Sequence, residues 1–501
     1  MSTVLEDPDR RVVPRWRPWR EAVSIGDICP VTVKRVHREP HLEDLHQTRF
    51  DWEKNRSLPF AADFLGAAFA LSQGSMAIDA ADFILASKQP SNKALRTLAS
   101  LVLSDQTADE QVMAEPVLPN TDTSRRRIRA IRSDLHNFPR NPLALMDLAR
   151  EYVGLGQPWA AIKPVREALA LAPASRFVLR SASRFFLHHN DNEQAHNILR
   201  KAERTRKDPW LVSAEIAVAS AAGRRSSLVK LGKQFVESKN LHPSHISELA
   251  SALGTLELEA GNVRLMKKLF RKALEKPTEN SLAQAPWVSR RVGNLGFAPS
   301  VLDTPRSYEA GAWTNFMGAH WKNSLAAAEL WLCDEPFAKR PTLFGSWVAL
   351  TTAPDYIKAE RIARHGLNTH QDDFLLLNNL TVALAYQGKH REALQCFNRI
   401  PHAEGGGPYR ATYLATNGLL RFRLGAPDEG RRLYRMAVDD AKHKKSTQSA
   451  VWALLHFARE EYRLTSPKGD ELVKEALLEF NKLSVIERAV ASRLLELVMP
   501  A

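Results

Sequence analysis

The clearest pattern in the chain is an alternation of large and small residues at helical spacing near residue 150. Leu145, Leu148 and Tyr152 share one face of a predicted helix, and Ala149 lies where a second helix can approach closely. Gly156 follows at a position suited to a left-handed helix cap. The alternation then resumes on a second helix and stops at a proline, through Ala161, Val165, Ala168 and Pro173. The pattern predicts a helical hairpin of about 34 residues.

The same spacing recurs along the chain, which predicts an array of hairpins. Further copies with matching internal distances begin at Leu179, Leu253, Leu377 and Asn417. Each amphipathic hairpin can bury its apolar faces only against its neighbours. The repetition therefore predicts a curved solenoid and not a globule.

In its ordered residue sizes and its turn, this unit resembles the tetratricopeptide repeat. The resemblance covers about residues 57–495 and is strongest at 141–205 and 374–440. It implies an all-α fold, an α-solenoid of tandem helix-turn-helix hairpins. It also implies that the first helix of each hairpin lines a concave groove, where ligands of this family usually bind.

Prolines and charges divide the predicted array into segments. The prolines at 277, 286, 299 and 305 interrupt an otherwise helical region and predict a break between two solenoid halves. The predicted segments are 1–56, an N-terminal Arg/Trp/Pro arm and entry segment; 57–103, a degenerate first hairpin; 104–135, a linker and basic helix; 136–275, the first solenoid half; 276–312, the irregular proline-rich break; and 313–501, the second half with C-terminal capping helices.

Charge is the property of the composition that bears most on partners. The 501 residues include 70 basic and 56 acidic side chains, a net charge of +14. This balance favours a protein partner with an acidic segment, and it leaves RNA or DNA open as alternatives. A further interpretation is that the charge only keeps a long surface soluble.

Catalytic and compartment signals are sparse in the sequence. It contains no phosphate-binding loop, zinc-protease, CxxC or nucleophile-elbow motif, so we expect a non-catalytic scaffold or adaptor without a cofactor or metal. The alternatives are a nucleic-acid-binding solenoid and a regulatory subunit of a separately encoded enzyme. Three scattered cysteines and the lack of a long apolar run lead us to expect a cytoplasmic protein without membrane contact.

Three arginines are candidates for ligand contacts. The family register places Arg150, Arg180 and Arg184 on the inward face, where the last two lie one helical turn apart. Guanidinium groups in a row can bind carboxylates or phosphates in a bidentate manner. The alternative is that these arginines pair with local acids such as Glu151 and Glu193.

A fourth candidate on the inward face comes from the family resemblance alone. Asn379 matches by position one asparagine of the carboxylate-clamp members, which grip the C-terminus of a peptide. The companion lysines of that clamp are missing from the neighbouring repeats. We therefore predict a partner contact at Asn379, but not the chaperone-tail form of it.

A basic helix precedes the strongest repeat. Arg125, Arg129 and Arg132 share one face of it, and we call these three residues the arginine ridge. Such a ridge can bind phosphates. An ordinary helix that flanks a solenoid has the same appearance, so both interpretations stay open.

The stretch from Arg10 to Arg20 alternates arginine with tryptophan and proline. Its prolines at 14 and 18 predict an extended conformation. Arg15, Trp16 and Trp19 are candidates for contacts with bases, phosphates or a groove on a partner protein. The alternative is that Trp16 and Trp19 fold back and cover the apolar end of the first hairpin.

Overall fold

The fold was analysed in a computed structural model of the chain. The structure describes residues 12–21, 42–71, 73–87, 93–108, 121–238, 240–293, 295, 301, 304–400 and 407–499. Within these ranges the chain contains α-helices and no β-strand, which confirms the predicted all-α class. None of the described helices combines the length and the apolar character that a bilayer span requires. The chain divides into two compact units, Thr32–Pro116 and the remainder.

The smaller unit is built from four helices around a core of its own. They are α1 (Leu42–Lys54), α2 (Leu58–Ala70), α3 (Ile78–Ala86) and α4 (Lys93–Ala108). Trp52 and Phe64 are fully buried at its centre, and the Trp52 indole donates a hydrogen bond of 3.1 Å to Asp79. The sequence analysis assigned residues 57–103 to a first hairpin and α1 to the preceding entry segment. In the structure these two segments share one core.

The larger unit contains the predicted array. Its helices are α5 (Thr121–Asn137), α6 (Pro142–Gly154), α7 (Pro158–Leu171), α8 (Arg176–His188), α9 (Asn192–Lys201), α10 (Pro209–Ala221), α11 (Val229–Glu237), α12 (Pro243–Glu259), α13 (Val263–Ala273), α14 (Glu279–Val292), α15 (Tyr308–Met317), α16 (Trp321–Asp334), α17 (Lys339–Thr351), α18 (Tyr356–Thr369), α19 (Phe374–Tyr386), α20 (His390–Phe397), α21 (Arg410–Arg423), α22 (Pro427–His443), α23 (Thr447–Arg463), α24 (Lys468–Glu479) and α25 (Val485–Val498).

Small residues hold the two helices of each hairpin together, as the alternation predicted. In the α6–α7 hairpin, Ala149 and Ala161 are fully buried where the helices meet. In the α21–α22 hairpin, a Cβ at Gly418 would lie 2.8 Å from the ring of Tyr434, so no larger residue fits there. Close packing of this kind makes each hairpin a rigid unit that stacks on its neighbours.

The proline-rich segment 276–312 is more helical than the sequence suggested. It contains α14, with Pro286 inside the helix, and the start of α15. A capping box explains how α14 begins: the backbone N–H of Ser281 donates to Thr278 Oγ1, and the backbone N–H of Thr278 donates to Ser281 Oγ. The capped first turn and the largely buried helix offset the loss of one backbone donor at the proline.

Curvature brings the beginning of the larger unit against a helix far along the chain. Gly156, in the turn between α6 and α7, has a φ of +71°, and a Cβ there would overlap the carbonyl oxygen of Asn368 in α18. Nearby, Arg150 Nη2 donates to the Asp334 carbonyl oxygen at 3.0 Å. The α6–α7 hairpin therefore contacts α16 and α18 directly.

Candidate functional site

A segment near the start of the chain packs against α6, α8, α14, α15 and α16 of the larger unit, and we call the surface that these helices present to it the inner face. We call residues 12–21 the docked arm: residues 12–18 have no regular secondary structure, and Trp19–Glu21 form a short 3₁₀ helix. Val12, Pro14 and Trp16 are buried. The side chains of Arg15 and Arg17 are nearly buried as well, and residues 12–18 form no helix, as the prolines require.

Trp16 is the deepest residue of the docked arm, with none of its surface exposed. Its ring lies 6.2 Å from that of Phe185 on α8 and 5.4 Å from that of Phe337, between α16 and α17. Its carbonyl oxygen accepts a 3.1 Å hydrogen bond from Arg150 Nε. Trp16 thus packs inside the protein, between α8 and the α16–α17 connection. This differs from the alternative in which it covers the apolar end of the first hairpin.

Arg15 of the docked arm forms ion pairs with two buried carboxylates. Its guanidinium group donates to Glu309 and, at 2.8 Å, to Glu335. Burial alone would raise the pKa of Glu335, but the nearby guanidinium groups of Arg15 and Arg184 lower it to about 2. Glu335 therefore stays ionised and holds Arg15 in place.

Arg17 makes a second set of charged contacts, about which the sequence analysis drew no conclusion. It forms a bidentate pair with Asp334 at 2.6 and 2.7 Å and donates to Glu279 at 2.6 Å. All three side chains are at most 10 % exposed. Because water cannot replace buried partners, these pairs define one position for the docked arm.

The backbone of the docked arm is bound by side chains as well. Asn280 Nδ2 donates to the Val13 carbonyl oxygen at 2.9 Å, and the Trp19 N–H donates to Asp147 Oδ1 at 3.0 Å. Burial raises the pKa of Asp147 to about 6, against the opposing effects of this N–H and of Arg150. The inner face therefore recognises both the main chain and the side chains of an extended peptide.

Two predicted groove residues, Arg150 and Arg180, are not available to a ligand, and we correct that expectation. They are 5 % and 3 % exposed. Arg150 is held by the carbonyl oxygens of Trp16 and Asp334, as described above. Arg180 pairs with Glu248 at 2.8 Å and donates to the Trp210 carbonyl oxygen, which links α8 to α10 and α12. Both arginines join parts of this chain to one another.

Asn379 also differs from its predicted role. It is 3 % exposed, and its Nδ2 donates to Ser346 Oγ at 2.9 Å. The bond connects α19 to α17, two helices of successive hairpins. Asn379 therefore acts between repeats in this structure and does not face an open clamp.

Arg184 is the predicted arginine with a different environment. It lines a cavity of about 340 Å³, and its guanidinium carbon lies 5.3 Å from the centre of the Phe337 ring. Within the described ranges it forms no ion pair, in contrast to Arg150 and Arg180. Glu335 lines the same cavity, and its charge partly offsets the lowering of the Arg184 pKa by burial.

The arginine ridge is exposed on α5. Arg125 lies 3.8 Å from Asp122, an exposed pair that contributes little, and Arg132 lies 5.7 Å from the centre of the Tyr152 ring. The ridge borders an open groove of about 660 Å³. The described residues offer Arg129 and Arg132 no carboxylate partner, so the ridge keeps its charge available.

Acid is expected to release the docked arm. Because the folded-state pKa of Glu335 is about 2 and its ordinary value is 4.5, its stabilising effect is complete above pH 4.5 and is lost as the pH falls towards 2. Denaturant melts between pH 6 and 2.5 should therefore show a fall in stability over this window. A Glu335→Gln variant should be less stable at pH 6 and should show a smaller fall; an unchanged slope would contradict the role of Glu335.

The acidic residues that bind the docked arm escaped the sequence analysis. Glu309 and Glu279 each occupy the first turn of a helix, where a carboxylate is common for local reasons. One feature of the sequence could have identified Glu309. It lies in a helical run of small and aromatic residues, Tyr308–Met317, and one face of such a helix must be buried. A carboxylate at such a position needs a cationic partner.

Comparisons with known proteins concern the fold only. Neither a protein-family model nor a curated protein sequence matches the chain. A crystal structure of the APC/C hetero-tetramer Cut9–Hcn1 aligns over 86 % of this chain and 92 % of its own, with 13 % identity and a TM-score of 0.33. Yeast Tom70 aligns over 88 % and 95 %, with 13 % identity and a TM-score of 0.28.

A human IFIT1 dimer with PPP-AAAA aligns over 82 % of this chain and 97 % of its own, with 13 % identity and a TM-score of 0.32. Likeness at these levels supports no argument about what this chain binds. The architecture rests on the chain's own hairpins, with their small residues at the helix contacts and their stacking in sequence. By that packing, the chain is an all-α solenoid of stacked helical hairpins.

Proposed function

We propose that this chain is a non-catalytic scaffold that binds an extended segment of a protein partner on the inner face of its larger unit. One observation carries the proposal: the docked arm already occupies that face as a peptide segment without regular secondary structure, with Trp16 fully buried. A surface that binds one extended peptide within the chain can bind a similar one from another chain.

The contacts of the docked arm divide into a general and a specific part. Hydrogen bonds to the Val13 and Trp16 carbonyl oxygens and to the Trp19 N–H recognise backbone, which every peptide has. The cavity filled by Trp16 and the carboxylates around Arg15 and Arg17 select side chains. A partner segment should therefore be extended, with a large aromatic residue between basic ones.

This chemistry differs from the acidic partner that the net charge favoured. Glu279, Glu309, Asp334 and Glu335 all point at the docked arm, so the inner face attracts cations there. The positive charge of the chain is instead exposed elsewhere, for example on the arginine ridge. We propose a basic, aromatic segment for the inner face.

A peptide-binding experiment on the full chain tests the proposal. The Arg15→Glu, Arg17→Glu double variant places like charges against the carboxylates and should release the docked arm. A fluorescent peptide of residues 12–21 should then bind this variant, with a rise in anisotropy, and should bind the unmodified chain at least tenfold more weakly. Its binding to the unmodified chain is weak because the tethered arm competes at high effective concentration.

Two controls keep the outcome interpretable. A peptide with Trp16→Ala should bind at least tenfold more weakly, and a Trp16→Ala variant of the full chain replaces the double variant if that one fails to fold. Any partner captured by the variant must be released by the peptide of residues 12–21. A folded variant that binds no peptide would contradict the proposal.

A second candidate function uses the arginine ridge. Its exposed guanidinium groups and the neighbouring Tyr152 ring are suited to a nucleic acid or an acidic protein segment. Such binding would survive the reversal of Arg15 and Arg17 and would fall steeply with salt for a nucleic acid. That result, with no peptide binding, would favour the ridge over the inner face.

A further inference from the structure

Arg17 of the docked arm uses its whole guanidinium group. Nε and Nη2 donate to the two carboxylate oxygens of Asp334 at 2.7 and 2.6 Å, and Nη1 donates to Glu279 at 2.6 Å. The side chain is 4 % exposed. Burial opposes its charge, but the hydrogen bonds to Asp334 and the negative charges of Glu279 and Asp334 raise the pKa of Arg17. The contacts therefore match both the charge and the shape of an arginine.

Arg15 of the docked arm is bound through fewer of its nitrogens. Nη1 donates to Glu335 at 2.8 Å and Nη2 donates to Glu309, so each carboxylate receives one hydrogen bond from Arg15. Its Nε is buried and donates to no atom of the described residues. A lysine carries three N–H donors on one nitrogen, which can reach two acceptors at once. The position of Arg15 therefore requires a cation but not the shape of a guanidinium group.

Both partners of Arg17 are held in place by other parts of the fold. Asp334 is the last residue of α16, and its carbonyl oxygen accepts a 3.0 Å hydrogen bond from Arg150 Nη2. Glu279 is the first residue of α14, whose start is set by the capping box described above. Because these acceptors need not move on binding, they favour the cation whose donors fit them.

The charges around the two arginines balance only when the docked arm is in place. The side chains that form ion pairs with Arg15 or Arg17 are four carboxylates: Glu279, Glu309, Asp334 and Glu335. Two guanidinium groups outside the docked arm act on the same carboxylates, since Arg340 pairs with Glu309 at 2.7 Å and Arg184 is influenced by Glu335. An occupant of the inner face must therefore supply cations, and its second cation meets the two acceptors of Arg17.

We propose that Asp334 and Glu279 form an arginine subsite, which selects an unmethylated arginine over lysine at the second basic position of a bound segment. This inference rests on the proposed function and narrows its partner to a cation, an aromatic residue and an arginine in consecutive positions. A lysine cannot donate to both oxygens of Asp334 and to Glu279 together, so a buried carboxylate oxygen loses its partner. Dimethylation of a terminal nitrogen keeps the charge of an arginine but removes the N–H donors of that nitrogen.

Peptides test the arginine subsite in the Arg15→Glu, Arg17→Glu variant of the full chain. Relative to the unmodified peptide of residues 12–21, the peptide with Arg17→Lys should bind about tenfold more weakly or worse, and the peptide with Arg15→Lys should bind within about threefold. A peptide with asymmetric dimethylarginine in place of Arg17 should also lose about tenfold, although its charge is retained. Equal losses for lysine at the two positions would overturn the inference, as would full binding of the dimethylated peptide.

A double-mutant cycle in the full chain tests the arginine subsite without an added peptide. Arg17→Lys should lower the melting temperature further than Arg15→Lys does. In an Asp334→Asn background, which offers only one side-chain acceptor oxygen, Arg17→Lys should have a much smaller effect. Glu335→Gln is the matched control background: Glu335 accepts a hydrogen bond from Arg15, so the effect of Arg17→Lys should persist there. An equal effect of Arg17→Lys in both backgrounds would contradict the inference.

The two experiments separate the arginine subsite from the proposed function. If no peptide binds to the folded Arg15→Glu, Arg17→Glu variant, the proposed function fails, and the cycle still decides whether the chain's own arm needs an arginine at position 17. If the peptides bind and lysine is tolerated equally at both positions, the proposed function stands and the arginine subsite is refuted. Should Arg17→Lys prevent the chain from folding, the peptide series decides alone.

Discussion

Replacing Trp16 with alanine is expected to lower the free energy of unfolding of the larger unit by about 3–5 kcal/mol. The Trp16 ring is fully buried between Phe185 and Phe337, so its removal leaves a cavity that rigid helices cannot close. Denaturant unfolding followed by circular dichroism measures the change. The matched control is Trp159→Ala, since Trp159 is 65 % exposed on α7 and should change stability by about 0.5 kcal/mol or less.

The comparison of the two tryptophans decides whether the docked arm is part of the folded core in solution. A large loss of stability in Trp16→Ala and a small one in Trp159→Ala would show that the docked arm is part of the folded core. Equal and small losses would mean that the docked arm leaves the inner face readily. The proposed partner segment would then bind to an empty groove and not by exchange.

The second large effect is expected at the contact between the α6–α7 turn and α18. Gly156→Ala should cost about 2–5 kcal/mol, because its Cβ would overlap the Asn368 carbonyl oxygen and its φ is positive. Gly388→Ala separates the two causes: Gly388 has a φ of +79°, but a Cβ there would meet no atom within 4 Å. That control should cost about 1–2 kcal/mol.

Thermal and denaturant melts of both alanine variants measure this difference. The additional loss of stability in Gly156→Ala, relative to Gly388→Ala, measures the contact between the α6–α7 turn and α18. If both variants lose the same stability, that contact does not form in solution. The curve of the larger unit would then be more open than the structure has it.

The helices of the array could be predicted from sequence because their signal is local. Ala149 and Ala161 pack within the α6–α7 hairpin and Gly418 packs within the α21–α22 hairpin. Each belongs to a spacing that repeats over about 34 residues. The same local reasoning failed at Pro286, where a capped first turn and a buried face keep α14 helical. A proline can be recognised from the local sequence, whereas the burial of a helix depends on neighbouring helices that the local sequence does not specify.

The candidate site could be predicted only in part, because its contacts join residues far apart in sequence. The repeat register placed Arg150, Arg180 and Arg184 on the inward face, but it cannot tell which carboxylates lie opposite. Glu248 lies in a hairpin 68 residues beyond Arg180, and no periodicity connects the two. Whether such an arginine has a carboxylate partner depends on how helices far apart in the sequence pack against each other.

The docked arm also has a consequence for the order of events during synthesis. Arg15 contacts Glu309 and Glu335, which follow it by 294 and 320 residues. At about 5–20 residues per second, a ribosome needs roughly 15–60 s to reach the second of these carboxylates. Throughout that interval Arg15, Trp16 and Arg17 lack their final contacts, although hairpins such as α6–α7 can already form. The arm is therefore translated early and buried late, and a factor that binds basic, aromatic segments would have its best access to this one on the nascent chain.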